Sequence, residues 1–462
     1  MPANLEAASN PFGWPESGPF FDQCARKVYV FQPKYDQKGG VRLARFVKVL
    51  KDPVHDEILV EDPWVWRLIN TAAVQRLRRI RQLGTSYLTF HGAEHSRFTH
   101  SLGAYETMRR VLRYLEDECN WPRDERDRKL ALAAALLHDV GHGPFSHTFE
   151  TIYPVRHEQW TRRILLEDPE LQEVLGAVDA DFAEDLVQIL QKSGRHVYIQ
   201  QLISSQLDVD RMDYLLRDAL MTGVSYGRFE LARLIRSLTL RDGRVLLKAS
   251  GLHTAEQYIF ARYFMYTQVY LHPVTVGSDV LVGNILRRAS ELWQGGGLGD
   301  LPRELVALLD QGTTEVSVGD YMAIDESTLL YAFHLWSHSK DPTLSDLSRR
   351  FLNRRLFAAV VRNEPTSEQW AALRTAARAL GFHPDYYISG RQSATAGYLY
   401  RGEGISLLEP DGTVTELSRQ SRLVRSLVPD VEYRLFLPKE MVEGDGPVCD
   451  RVRSILSLAV DS

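Results

Sequence analysis

The chain has 462 residues, 44% hydrophobic and 25% charged, a balance that excludes a disordered polymer and leaves ample length to bury a core. Its formal net charge of −5 excludes wrapping of nucleic acid by bulk electrostatics, so an anionic ligand needs a local basic pocket. Cys24, Cys119 and Cys449 lack metal-ligand or disulfide spacing, and no apolar run approaches the roughly 20 residues of a membrane span, which points to a cytoplasmic protein whose metal ligands are His and carboxylates.

The first residues, rich in Pro, Gly and Asn, read as a loose arm over 1–25. Alternation in Val28–Phe31 and in Val41–Leu50 predicts a small strand pair around Gly39–Gly40. From Asp62 the pattern turns helical, with Asp62 as a cap, Pro63 at the first helical position and Gly84 as the stop. Leu102, Tyr105, Met108, Leu112 and Leu115 form one apolar helix face, and Leu130–Leu137 is apolar on all sides and therefore buried. Further helices are predicted around 157–167, 181–192, 209–220, 228–238, 252–271 and 278–294. Gly295–Gly297 and Pro302 break the pattern, and helices resume near 303–310 and 367–380. Candidate strands follow at Gly397–Arg401, Ile405–Leu408, Val414–Leu417 and Val431–Leu437, with Asp411–Gly412 as a hairpin turn. The expected architecture is mostly α: a helical core with its N-terminal strands over 26–294, and a mixed α+β region over 295–462.

Seven of the 14 histidines (His91, His95, His100, His138, His142, His147 and His157) fall between 91 and 157. His138 and Asp139 end the apolar helix, where an unpaired charge is expensive. A neutral imidazole and a carboxylate suit a divalent metal. His100, at the start of its helix, and Asp210, in the acidic run Asp208–Asp213, are candidates to complete the site. The segment His138–His147, with three histidines, two glycines and a proline after a buried helix, makes a poor structural loop and a good catalytic one.

In order along the chain stand Asp52–His55, Gln75–Ile80, Gln82–Gly84, His95–Gly103, His138–His147, Asp208–Tyr214 and Arg217–Asp218. This series resembles the HD-domain deoxynucleoside triphosphate triphosphohydrolases over roughly residues 50–290. The resemblance implies that His100, His138, Asp139 and Asp210 bind one divalent metal, Mn2+ or Mg2+ before Fe2+ or Zn2+. It implies a catalytic pair in His147 and Glu150 supported by His157, and triphosphate contacts from Arg97, His142, Arg211 and Arg262. Gln82, Leu83, Tyr214, Asp218 and Tyr270 match positions that fit against the deoxyribose, and Tyr266 stands where some relatives carry His. The implied reaction releases deoxynucleoside and inorganic triphosphate. The implied assembly is a homo-oligomer (dimer, tetramer or hexamer), with a nucleotide effector left open and no membrane partner.

Two other readings compete. Another HD-class phosphohydrolase, acting on a cyclic nucleotide, a guanosine polyphosphate or a nucleoside monophosphate, shares the metal ligands without needing Arg97, Arg211 and Arg262. A non-catalytic nucleotide sensor or nucleic-acid-binding module draws on the cluster Arg76, Arg78, Arg79 and Arg81. Those arginines spread around a helix, and solvated charge or subunit contact is their plainer expectation.

Overall fold

The structure, a computed structural model, describes residues 34–35, 41–42, 46–119, 121, 124–152, 156–299, 301–311, 316–395, 404–427 and 430–457. The chain divides into two units, Met1–Val47 and Lys48–Ser462. In the first, β1 (Lys34–Tyr35) pairs antiparallel with β2 (Val41–Arg42), flanking the predicted glycine turn. Gly39–Gly40 themselves, Val28–Phe31 and the arm over 1–25 lie outside the described residues.

The second unit opens with the antiparallel pair β3 (Lys48–Asp52) and β4 (Asp56–Val60), turned by Asp56 at φ 64°. Asp62 caps the next helix by accepting from Trp64 N, with Pro63 at its first position. That helix stops at Ile69 rather than at Gly84; Ala72–Arg76 and a 3-10 turn, Leu77–Arg79, follow. The reason is tertiary pairing. Ile80 O accepts from Arg97 N at 2.8 Å and Gln82 N donates to His95 O at 3.0 Å, so the backbone after Arg79 bonds across to another segment.

The Arg97–Glu118 helix is the central strut, buried over most of its circumference. The Glu125–Leu137 and Val209–Thr222 helices pack against it. Gly103 sits where the last of these crosses, and a Cβ there would lie 1.9 Å from the Asp213 carboxylate. Leu130 to Leu137 are all buried, as their composition requires. The His157–Glu167, Phe182–Leu190 and Val197–Ile203 helices close one side of this core. The predicted 252–271 helix is α over Leu252–Met265 and then widens into one π turn, Tyr266–Tyr270, before Pro273–Gln294.

The mostly helical class is as expected, with small sheets set among the helices. Sequence patterning passed over the hairpin of β5 (Leu238–Arg241) and β6 (Arg244–Lys248), which β9 (Ser406–Leu408) joins in parallel and β10 (Val414–Glu416) extends. The Asp411–Gly412 turn links β9 to β10, with Gly412 at φ 85°. β7 (Ala358–Arg362), β11 (Asp430–Leu437) and β8 (Ser389–Thr395) form an antiparallel sheet with β11 in the middle. Leu435 and Leu437 of β11 pack with Leu373 and Val452 from two flanking helices. The predicted strand at Gly397–Arg401 lies outside the described residues. Among the described residues, no helix is long and apolar enough to cross a membrane.

Candidate active site

Four side chains from three distant segments converge. His100 comes from the first turn of its helix, His138 and Asp139 from the end of the Glu125–Leu137 helix, and Asp210 from the first turn of Val209–Thr222. His100 Nε2 lies 3.3 Å from His138 Nε2, 3.1 Å from Asp210 Oδ1 and 3.8 Å from Asp139 Oδ2. His138 Nε2 lies 3.4 Å from Asp139 Oδ1 and 3.5 Å from Asp210 Oδ1. Ligands about 2.0–2.2 Å from one ion sit about 3.0–3.5 Å from their neighbours, so this spacing fits a single divalent metal.

The tautomers agree with that fit. His100 Nδ1 faces Asp213 Oδ2 at 2.8 Å, and His138 Nδ1 faces Ala135 O at 3.0 Å. Each outer nitrogen therefore carries a proton, and each Nε2 faces into the cluster, the place a second proton or a metal ion takes. The cluster also calls for positive charge. Burial disfavours a charged His100, yet hydrogen bonds to Asp210 and Asp213 outweigh it and raise the imidazole to about 10. Burial likewise opposes ionisation of Asp139, and His138, Arg97 and His142 outweigh it, holding the carboxyl well below the usual range.

Beside the cluster lies a cavity of 560 Å³, the size of a small-molecule site. Gln82, Leu83, Arg97, His138, Asp139, His142, His157, Asp210, Arg211, Tyr214, Asp218, Tyr266 and Tyr270 line it, so most of the predicted residues share one space. His100 and Arg262 are buried behind the wall. Arg97 donates to Asp139 Oδ2 at 2.5 Å and to Ser146 Oγ at 3.0 Å. Arg262 Nη1 donates to Gln206 Oε1 at 2.6 Å, and Arg211 Nη1 donates to Ser205 O at 2.7 Å and to Asp208. The Nε–H groups of Arg211 and Arg262 are buried with no partner among the described residues. Buried donors of that kind are costly unless a ligand meets them.

His157 Nδ1 pairs with Glu150 Oε1 at 2.6 Å, and its ring stacks on His142 at 3.7 Å. Burial, then the charges of Arg97 and His157, hold the His142 imidazole well below its usual range, so it stays neutral. His147 opens the His147–Ile152 helix, and its side chain lies outside the described residues. Also in the lining, Tyr270 donates to Asp218 Oδ2 at 2.8 Å, and His95 Nε2 meets Asp218 Oδ1 at 2.7 Å. Tyr266 and Tyr270 pack edge to face, both presented by the π turn.

The residues that sequence reasoning missed support these from behind. Asp213, fully buried, bonds His100, His55 and Arg217, and Arg217 bonds Asp52 at 2.8 Å. Asp52, His55, Asp213 and Arg217 all stood in the quoted motifs, where their role as a polar brace was not assigned.

The second group missed is remote in sequence. The loop 139–147 contains two non-glycine residues in left-handed conformations, Phe145 at φ 56° and Ser146 at φ 53°. Such strain persists only where the surroundings enforce it. Glu326 Oε1 accepts from Phe145 N at 3.3 Å and from Arg81 N at 2.8 Å, while its other oxygen pairs with Arg81 Nη1 at 2.6 Å. Tyr321 donates to Gly141 O at 2.7 Å and stacks on Trp160. Arg76 joins His142 O, at 2.8 Å, to Ile324 O. Arg79 pairs with Asp325, and Arg78 covers the Phe98 ring at 3.6 Å. Solvated charge is therefore the wrong account of Arg76 and Arg81, which tie the loop 139–147 to residues 321–326 within one chain, whereas Arg79 is half exposed and pairs with Asp325.

The geometry has parallels among known proteins. The HD domain family matches residues 97–218, and the HD associated region matches 229–295. The uncharacterized protein YwfO of Bacillus subtilis is 44% identical over 408 residues, covering 86% of this chain and 93% of that one. Human deoxynucleoside triphosphate triphosphohydrolase SAMHD1 is 24% identical over 363 residues, 70% of this chain and 56% of that one. The crystal structure of a phosphohydrolase from Bacteroides thetaiotaomicron superposes with a TM-score of 0.77 at 28% identity, covering 85% of this chain and all of that one. The chain belongs to the HD-domain superfamily of phosphohydrolases.

Proposed function

We propose that the protein hydrolyses deoxynucleoside triphosphates to deoxynucleoside and inorganic triphosphate, as a cytoplasmic homo-oligomer using one divalent ion, Mn2+ or Mg2+ before Fe2+ or Zn2+. One observation carries the reading: a single cavity is lined by His138, Asp139 and Asp210 of the His/Asp cluster, by Arg97 and Arg211, and by Tyr214, Asp218, Tyr266 and Tyr270. The SAMHD1 relatives, which are named deoxynucleoside triphosphate triphosphohydrolases, support it.

His100, His138, Asp139 and Asp210 would hold the ion, which supplies Lewis-acid polarisation of a phosphoryl oxygen when bound. The substrate carries about four negative charges, and Arg97, Arg211 and Arg262 answer them with planar donor forks, joined by the neutral His142. Water attacks phosphorus while the 5′-oxygen leaves with a proton. His147, in the catalytic pair with Glu150 that His157 supports, would assist one of these proton transfers, typically worth about 100- to 10,000-fold. Gln82, Tyr214 and Asp218 bind the sugar, and Tyr266 is a further substrate contact. Leu83 and Tyr270 pack against its 2′ carbon, where an unpaired hydroxyl would cost about 1–3 kcal/mol.

The test is a panel of all dNTPs and rNTPs with each metal, singly and in nucleotide pairs to reveal an effector, with tripolyphosphate measured directly. Tripolyphosphate from dNTPs is the expected product. Orthophosphate, pyrophosphate or turnover of a cyclic nucleotide alone would replace this reading with another HD-class phosphohydrolase.

A further inference from the structure

We propose that His95 is a specificity-determining residue: from behind the cavity wall it holds Asp218 and Tyr270 in the pose that admits a deoxyribose and excludes a ribose. The inference rests on reading the cavity as a deoxynucleoside triphosphate site. His95 is a buried histidine to which the proposed reaction gives no task, and it does not itself line the cavity.

The side chain of His95 is 3% exposed and that of Asp218 is 1% exposed. His95 Nε2 meets Asp218 Oδ1 at 2.7 Å, while Asp218 Oδ2 accepts from the Tyr270 hydroxyl at 2.8 Å. His95 Nδ1 is buried with no partner among the described residues. A proton there would be a buried donor without an acceptor, so the ring carries its proton on Nε2 and donates it to the carboxylate. Burial raises the Tyr270 phenol well above its usual value, so it too remains a donor. One donor on each oxygen fixes the tilt and the rotation of the carboxylate plane. Without the His95 donor, the carboxylate turns about its stem and takes the Tyr270 hydroxyl with it.

The root of the imidazole is held as firmly as its tip. His95 O accepts from Gln82 N at 3.0 Å, and Arg97 N donates to Ile80 O at 2.8 Å. Ser96 between them is extended, at φ −95° and ψ 160°. That conformation sets the Cα atoms of His95 and Arg97 about 6.6 Å apart. Arg97 in turn donates to Asp139 Oδ2 at 2.5 Å. One short strip therefore ties Asp218 and Tyr270, through His95, to a proposed metal ligand, through Arg97. The Tyr270 ring packs edge to face on Tyr266 at 5.1 Å and on Tyr214 at 6.1 Å, so the hydroxyl is the end that Asp218 places.

A ribose differs by one hydroxyl on the 2′ carbon, where Leu83 and Tyr270 pack in the proposed complex. With Tyr270 pinned, that hydroxyl finds neither room nor partner. With Tyr270 released, it gains both. Loss of the His95 donor therefore relaxes sugar selection instead of stopping turnover.

The experiment compares kcat/KM for dATP and ATP in metal-loaded full-length protein. His95→Leu should lower the dATP-to-ATP ratio by about tenfold or more, with ATP turnover within about threefold of the parent. Metal content should not change. His95→Gln, whose amide can donate to Asp218, should restore most of the ratio. An unchanged ratio in His95→Leu, or an equal fall on both substrates, would overturn the proposal and leave His95 a brace of the fold. So would a His95→Gln variant as unselective as His95→Leu. Should His95→Leu not fold, His95→Asn, too short to reach Asp218, carries the same expectation. If the parent turns over no dNTP, the cavity reading fails, and calorimetry with dATP and ATP decides the role of His95. Tighter binding of dATP that is levelled in His95→Leu supports it. Equal binding to the parent, or a preference that survives the substitution, rejects it.

Discussion

At the scale of single residues, the four proposed metal ligands and the groups behind them make separable predictions. His138→Ala or Asp139→Ala should abolish both bound metal, read by elemental analysis, and turnover. Normal activity in either variant would reject the site. Asp213 does not line the cavity, yet it accepts from His100 Nδ1 and so orients that ring. Asp213→Asn should therefore weaken metal affinity by about 10- to 100-fold, measured by competition with a chelator, as loss of an outer partner does elsewhere. Much of this site was legible from sequence, because the His138–His147 run and the Asp208–Asp213 run each concentrate chemistry in a few positions. What stayed hidden was the direction of each ring nitrogen and the burial of Asp213, which depend on the Gly103 crossing and on partners such as His55, 158 positions away from it.

At the scale of elements, helix positions followed from apolar periodicity, and the predicted 157–167 helix matches the observed His157–Glu167. The stretch 80–83 did not follow, since its residues suit a helix and only pairing with His95 and Arg97 draws them out. No local signal marked Ile324–Glu326 as the support of the loop 139–147, because Glu326 reaches Phe145 across 181 positions. The support is testable. Glu326→Ala should lower kcat about tenfold or more with little change in KM or metal content, since small misplacement of reacting groups is costly. Glu326→Gln keeps an oxygen able to accept from Phe145 N and Arg81 N, and should recover most of the lost rate. Amide exchange at Phe145 should accelerate in the Ala variant; unchanged protection would exclude this role. Gly103→Ala, by contrast, pushes a methyl into the Asp213 carboxylate and should reduce both melting temperature and metal content.

At the scale of the whole molecule, buried ion pairs set the response to acid. Glu106 accepts from Arg109 Nε and Arg110 Nε, each at 2.8 Å, and from Leu59 N at 3.2 Å. Burial opposes its ionisation, and the two arginines outweigh burial and depress its pKa below 4.5. A depressed carboxyl stabilises the fold fully above its unfolded pKa and loses that effect as pH falls through the lower folded value. Glu106→Gln should thus cost about 3 kcal/mol in urea unfolding at pH 7. The gap between variant and parent should narrow on acidification below about 4.5, the ordinary value for this side chain. A gap independent of pH would assign the loss to packing.

The grip of Tyr321, Ile324 and Glu326 on residues 139–147 also bears on synthesis. Domains begin to fold N-terminal end first as the ribosome releases them. The ligand-bearing helices would emerge well before the segment that fixes the strained turn ahead of His147. On the proposed reading, a nascent chain would bring the metal cluster together while the loop was still unsupported, and hydrolysis would begin only once synthesis had passed Glu326, about 70% of the way along the 462 residues.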